Sequence, residues 1–291
     1  MFKKSGFIAP YVFLIPALII FALFFFIPFL ESFVLSFLNY NADIYNPQWI
    51  GLNNYITLIN SPIFWKTMLN TFIYVVVAVP LLVILPLIMS IFMSQKLRGI
   101  SIFRVLAYIP VIVSIVVAGI AWKWLYASNG LINYFLEMLH LSKLGWLTDP
   151  NIALYSVIAV TVWKGLGYYM VIYLSSLISV PKDLYEAADI DGASELHKHL
   201  TVSIPHLKPT IALVSIISTI SAMKVFVEIY VMTQGGPVNS SKTIVYYIYQ
   251  RAFENLDLGY ASAAGVVLLI IIMALSILNM KYFENERITS I

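Results

Sequence analysis

The sequence predicts an all-α membrane protein with six transmembrane helices. Three observations carry that reading. Hydrophobic residues make up 61% of the 291 positions and charged residues only 11%, with a mean hydropathy of +0.90, too apolar for an ordinary soluble domain. The apolar residues form continuous runs, each near or above the roughly 20 needed to span a bilayer as a helix. Alternating strand patterns of about ten residues are absent, so helices rather than a closed barrel satisfy the backbone in lipid.

The six expected spans are 9–37, 68–94, 102–126, 152–178, 209–232 and 259–282. The first follows Lys3 and Lys4 like a signal peptide, but it runs on to Glu31 with no A-x-A cleavage site, so a retained helix is expected. Its length implies tilt or an interfacial end. Pro16, Pro28, Pro80 and Pro86 fall inside spans, where neighbouring helices can re-satisfy freed carbonyls. In the sixth span Gly259, Ala261, Ala263 and Gly265 form a small-residue seam for another helix.

Lysine and arginine counts orient the chain. One set of connections holds Lys3, Lys4, Lys96, Arg98, Arg104, Lys182, Lys198, Lys208, Lys281 and Arg287; the other holds Lys66, Lys143, Lys242 and Arg251. The richer set is expected in the cytoplasm, with both termini. The scattered basic residues explain the net charge of +3 without nucleic acid. The absence of cysteine excludes disulfides, thiol catalysis and thiolate-bound metal.

Eight charged residues crowd into Lys182–Lys208. Between Pro181 and Pro205, Leu184, Ala187, Ala188, Ala193, Leu196 and Leu200 recur near three- and four-residue spacing. One amphipathic helix over about 184–200 follows, with Gly192 near its middle. A helix glycine costs up to about 1 kcal/mol against alanine, offset if it admits a close neighbour. An ordinary solvated loop helix fits the periodicity equally well.

The stretch "EAADIDGASELHKHLTVSIP" resembles the signature of ATP-binding-cassette (ABC) importer permeases: Glu186, Ala187 and Ala188, Gly192 four residues on, and Pro205 closing the motif. Val202 and Ile204 stand where the family has isoleucine and leucine. The segments "WIGLNNY", "FRVLAYIPVIVSIVVAGIAWKWLY", "VWKGLGYYMVIYL", "VFVEIYVMTQGGPVNSS" and "NLDLGYAS" extend the resemblance to the maltose, multiple-sugar and glycerol-phosphate branch, over nearly the whole chain. It implies the type I importer permease fold, with residues 1–60 an N-terminal helix and first external loop and 61–291 the core. It further implies a coupling helix for a partner ATPase, with Glu186, Ala187, Ala188, Gly192, Ala193 and Pro205 at the contact. The expected partners are a second homologous permease, two ATPase subunits, an extracytoplasmic solute-binding protein and a sugar, an oligosaccharide foremost. "TQGGPVNSS" and "WLTDPN" are the candidate docking loops for that binding protein.

No phosphate-binding loop occurs, nor any Gly-Lys pair. ATP therefore falls to partner subunits; no catalytic residue, cofactor or metal is expected in this chain. Ionisable residues inside spans mark functional positions. Lys224 and Glu228, four apart on an expected helix, are read as a pair, with Lys164–Glu228 as the alternative; Lys123 is read as snorkelling. The resemblance places a substrate path at Ser218, Ser221 and Lys224; Glu228, Tyr168 and Tyr169 are added candidates. His197 and His199, two apart, face different ways, and His140 and His206 lie outside the spans. The competing class is an ion-coupled transporter or channel, which calls for broken helices with carboxylates at mid-membrane. An intramembrane enzyme lacks the convergent catalytic groups it needs.

Overall fold

The computed structural model describes residues 9–41, 47–95 and 98–288. Lys3, Lys4 and Lys96 lie outside the described residues. Among those described, five helical runs are long and apolar enough to cross a membrane, six if one bent pair counts as a single span. The chain divides into two units, residues 1–61 with 248–269 and residues 62–247 with 270–291.

The smaller unit opens with α1 (Ala9–Phe21), which runs through a π-helical turn into α2 (Ile27–Leu35). No residue of the Phe13–Leu35 span is buried; its apolar side chains face outward, as lipid requires. The strands β1 (Leu38–Asn39) and β2 (Gln48–Trp49) pair antiparallel, and α3 (Asn53–Ile59) follows. Asn54 ties these pieces together, its side-chain amide donating to the carbonyls of Ser36 and Leu38 at 2.9 Å each.

The larger unit begins with α4 (Pro62–Ser94), then α5 (Ile100–Ile112), α6 (Ile115–Leu125) and α7 (Leu131–Met138). α8 (Ala153–Ile178) is its axis, packed against α4, α5 and the later α11. Without a hydrophobic drive between helices in lipid, close backbone approach does this work. A methyl group on Gly167 would lie 2.2 Å from the Ala107 carbonyl oxygen, and one on Gly165 would lie 2.6 Å from Leu82. The "WKGLGYY" glycines thus admit α5 and α4.

The charged connection differs from expectation. α9 (Lys182–Ile190) ends in a tight turn, and α10 (Glu195–Lys198) starts after Ser194, whose hydroxyl accepts from the His197 amide. Gly192 is not mid-helix. It terminates α9 with φ +73°, while the Gly192 and Ala193 amides donate back to Asp189 and Ala188. This left-handed helix stop favours glycine. From α10 the chain passes through a π-helical turn (His199–Ser203) straight into α11 (Ile204–Met223). Pro205 therefore sits inside a continuous helical run rather than at a bend. Its ring crowds the carbonyl four residues earlier, at Thr201, and the π turn covers that position.

Two expected spans are broken. The third splits at Val113 and Ser114, both extended, into α5 and α6 at 98° to one another. The fifth stops at Met223; α12 (Val227–Met232) follows after an irregular Lys224–Phe226. Lys224 and Glu228 therefore do not share a helix. α6 packs on α12, where a methyl on Gly119 would meet Val231 at 3.0 Å. α13 (Ile244–Tyr249) and α14 (Leu258–Ile288) complete the order. Of the sixth-span seam, Ala261 and Ala263 are buried and a methyl on Gly259 would lie 2.2 Å from the Leu38 carbonyl oxygen, whereas one at Gly265 would meet nothing within 4 Å.

Candidate functional site

The break between α5 and α6 exposes carbonyl groups that a continuous helix would have satisfied. Lys164 supplies the missing donors. Its ammonium donates to the carbonyls of Val113 at 2.7 Å and of Pro110 and Val111 at 3.2 Å each. A cation at a helix C-terminus also meets the negative end of the helix dipole. The intramembrane lysine is thus paired with backbone.

Glu228 stands in the first turn of α12, beside the second break. Beside this second break lies a cavity of about 180 Å³, lined by Tyr74, Thr161, Lys164, Tyr169, Ser221 and Glu228 among others. The Tyr74 hydroxyl lies 2.5 Å from that of Thr161. Irregular backbone at membrane depth is tolerated where it is buried in protein or lines such a cavity.

The substrate-path candidates therefore divide. Tyr169, Ser221 and Glu228 line the cavity. Ser218 is fully buried and donates to the Ser215 carbonyl at 3.2 Å. Tyr168 and Lys224 are exposed and outside the lining. Among the described residues, no ion pair within 4 Å joins Lys224 to Glu228. Sequence reasoning missed Tyr74 and Thr161 as lining residues; their hydroxyl groups inside long apolar runs were the available signal.

The α9–α10 elbow forms a second site. Lys198 bridges Asp189 on α9 and Glu195 on α10, the latter at 2.6 Å. Hydrogen bonding to Asp189, then to Glu195, raises the lysine pKa above its ordinary 10.5. Behind the elbow, the buried Ser203 hydroxyl meets the Tyr185 hydroxyl at 2.8 Å and His199 Nδ1 at 3.0 Å. The elbow is braced, yet its outer surface is unpartnered: Ile190 is 86% and Leu196 71% exposed. Glu186, Ala187, Gly192 and Pro205 are exposed, and Ala188 and Ala193 half-buried.

The two expected docking loops are ordered by side-chain ties. Asn70 on α4 donates to the carbonyls of Asn239 at 2.8 Å and Lys242 at 2.9 Å, leaving Val238 85% exposed. Asn133 accepts from the Trp146 indole at 3.1 Å and from the Leu144 amide at 3.0 Å. Among the described residues, no cluster of three or more His, Asp or Glu side chains is arranged to hold a metal ion.

Several apolar spans and an internal cavity lined in part by hydroxyl and charged side chains mark a multi-pass membrane protein. The chain belongs to the family described as binding-protein-dependent transport system inner membrane component, which matches residues 50–287. It is 34% identical to the arabinooligosaccharides transport system permease protein AraP of Bacillus subtilis (strain 168), over 94% of this chain and 88% of that protein. It is also 34% identical to the lactose transport system permease protein LacF of Rhizobium radiobacter, over 95% and 94%. Its fold matches two crystal structures of a bacterial alginate ABC transporter with TM-scores of 0.84 and 0.82, at 23% identity. The first match covers 95% of each chain, the second 93% and 92%; the second structure also contains an alginate pentasaccharide-bound periplasmic protein.

Proposed function

We propose that this chain is the sugar-translocating permease subunit of an ABC importer, with both termini and the α9–α10 elbow in the cytoplasm. The basic-residue count favours that orientation. The elbow docks into a cleft of a partner ATPase and transmits its motion. The observation that carries this is the pairing of an internally braced elbow with exposed apolar side chains, Ile190 and Leu196, at its surface. Contiguous apolar surface without a partner marks an interaction site. Glu186 and Ala187 present a small acidic face beside it, and Gly192 sets the angle between the two helices. Two short packed helices held in one geometry move as a rigid body.

The cavity beside the α11–α12 break is one wall of the sugar path. At about 180 Å³ it falls below the roughly 300–1,000 Å³ of sites that enclose a drug-sized ligand. An oligosaccharide therefore needs a second wall, supplied by a homologous permease. The binding protein delivers the sugar to the Val238 and Trp146 loops, and two ATPase subunits complete the assembly.

The absence of cysteine permits a direct test. Ala187→Cys places one thiol on the exposed face of α9. Coexpression with the partner permease and an ATPase bearing one cleft cysteine should give an oxidative crosslink whose yield changes with ATP. An intact, ATP-hydrolysing assembly that never crosslinks from Ala187 or from Ala193 would rule out the elbow as the coupling element.

A further inference from the structure

We infer that the hydrogen bond between Tyr185 and Ser203 is the link that carries the motion of the elbow into the fifth span, so that α9 and α11 move as one body. This deepens the reading of the elbow as the ATPase contact and rests on it.

The covalent joint between α9 and α10 is a poor lever by itself. It turns at Gly192, where a methyl group would meet nothing within 4 Å, and a glycine's permissive backbone lets α9 pivot there. Two side-chain ties span the joint. At its tip Lys198 holds Asp189 and Glu195, but both carboxylates are exposed, so water and salt compete for them. Deeper in, the Tyr185 hydroxyl meets the Ser203 hydroxyl at 2.8 Å, and Ser203 is fully buried. A hydroxyl has one donor hydrogen and two lone pairs, so Ser203 serves Tyr185 and His199 Nδ1, at 3.0 Å, together. Water cannot replace Tyr185 at a buried hydroxyl, so this tie stays closed where the outer one exchanges.

The π turn brings this tie into line. Tyr185 and Asp189 lie four apart, on one face of α9. Their partners, Ser203 and Lys198, lie five apart. On an α-helix five positions overshoot a full turn by about 140°, which would carry Ser203 away from α9. The His199–Ser203 turn, closed by the Ile204 amide donating to the His199 carbonyl, widens the coil and returns Ser203 toward the Lys198 face. Such π turns recur at functional sites. Beyond it α11 runs unbroken to Met223. Ser221, about 27 Å along at 1.5 Å per residue, lines the cavity with Ala222. A push on α9 therefore arrives beside the α11–α12 break. Tyr185 and Ser203 are positioning residues in this scheme.

The test uses the complete transporter in proteoliposomes. Ala187→Cys on α9 and Leu213→Cys on α11, both exposed positions, carry spin labels. Pulsed electron paramagnetic resonance reads the distance between them with and without ATP. In the labelled parent that distance should not change. Tyr185→Phe and Ser203→Ala, which delete one hydroxyl each, should add a second distance that appears with ATP. Thr201→Val, in the same turn but exposed, should match the parent. An ATP-dependent distance in the parent, or a single unchanged distance in both assembled hydroxyl variants, overturns this inference and leaves the coupling reading intact. That reading is checked separately by the crosslink from Ala187→Cys and Ala193→Cys to the ATPase cleft; if neither forms in an intact assembly, it fails and this inference fails with it.

Discussion

Replacing Lys164 with methionine isolates what holds the α5–α6 bend. Methionine keeps the apolar stem and deletes the ammonium, so the carbonyls of Pro110, Val111 and Val113 lose their donor together. Side-chain hydrogen bonds within membrane proteins are worth roughly 0.6–1.7 kcal/mol each. Three of them set an upper range near about 5 kcal/mol. Relief of the lysine's own desolvation offsets part of this, which places the net loss at about 2–3 kcal/mol. For a chain of this size that is a drop of roughly 4–12 °C in apparent melting temperature. Intrinsic tryptophan fluorescence reports the site directly, because Trp163 lies beside Lys164 and its ring is 5.4 Å from Trp122 on α6. Lys164→Arg should fall between parent and methionine, since it keeps the charge but not the shape. A Lys164→Met protein melting within about 2 °C of the parent, with unchanged emission, would refute the assignment of Lys164 as the clasp of the broken helix.

Two glycine substitutions test the backbone account. Gly192→Ala meets no neighbour within 4 Å, so its whole effect is the positive φ of +73°; about 1–2 kcal/mol of local destabilisation is expected. Hydrogen exchange should show faster opening of the α9–α10 turn, with Gly192→Asn milder. Gly259→Ala forces a methyl to 2.2 Å from the Leu38 carbonyl oxygen, whereas Gly265→Ala fills open space. The first should lower thermal stability by an amount equivalent to about 1–3 kcal/mol and the second should stay within about 0.5 kcal/mol, both read from melting curves.

Most span positions were legible in the sequence because hydropathy and length are nearly the whole physics of crossing a bilayer. The second and fourth spans were expected at 68–94 and 152–178, and helices run over Pro62–Ser94 and Ala153–Ile178. The two breaks were not legible. "IPVIVSIVV" is uniformly apolar, and a window that counts hydropathy does not register Val113 and Ser114 turning extended. Pro110 was the available hint, but prolines elsewhere in the chain, such as Pro80 and Pro86, sit inside an unbroken α4. The elbow was misread for a related reason. The apolar spacing from Leu184 to Leu200 fits a helix, and only the left-handed backbone of Gly192 divides it. Of the substrate-path candidates that line the cavity, Tyr169 and Glu228 were singled out by residue type and Ser221 by the family resemblance. Thr161 and Tyr74 were not, because their importance comes from which helices face each other.

Four charged residues of the larger unit share a placement that periodicity could not supply. Arg104 on α5 donates to the Met93 carbonyl at the end of α4, through Nε at 3.0 Å and through Nη2. Lys164 closes the end of α5. Lys198 spans the gap between α9 and α10, and Glu228 stands in the first turn of α12. Each sits where a helix stops or starts and leaves backbone groups unsatisfied. The expected Lys224–Glu228 pair assumed the opposite, two charges neutralising each other on an unbroken helix. A continuous helix in lipid has no orphan carbonyl to reward a cation, so such a pair would return only its own mutual attraction against two desolvation penalties. A charge at a break satisfies backbone as well. That difference explains why Arg104, Lys164, Lys198 and Glu228 stand at irregular joints, the same places where a transporter must hold, and then change, its shape.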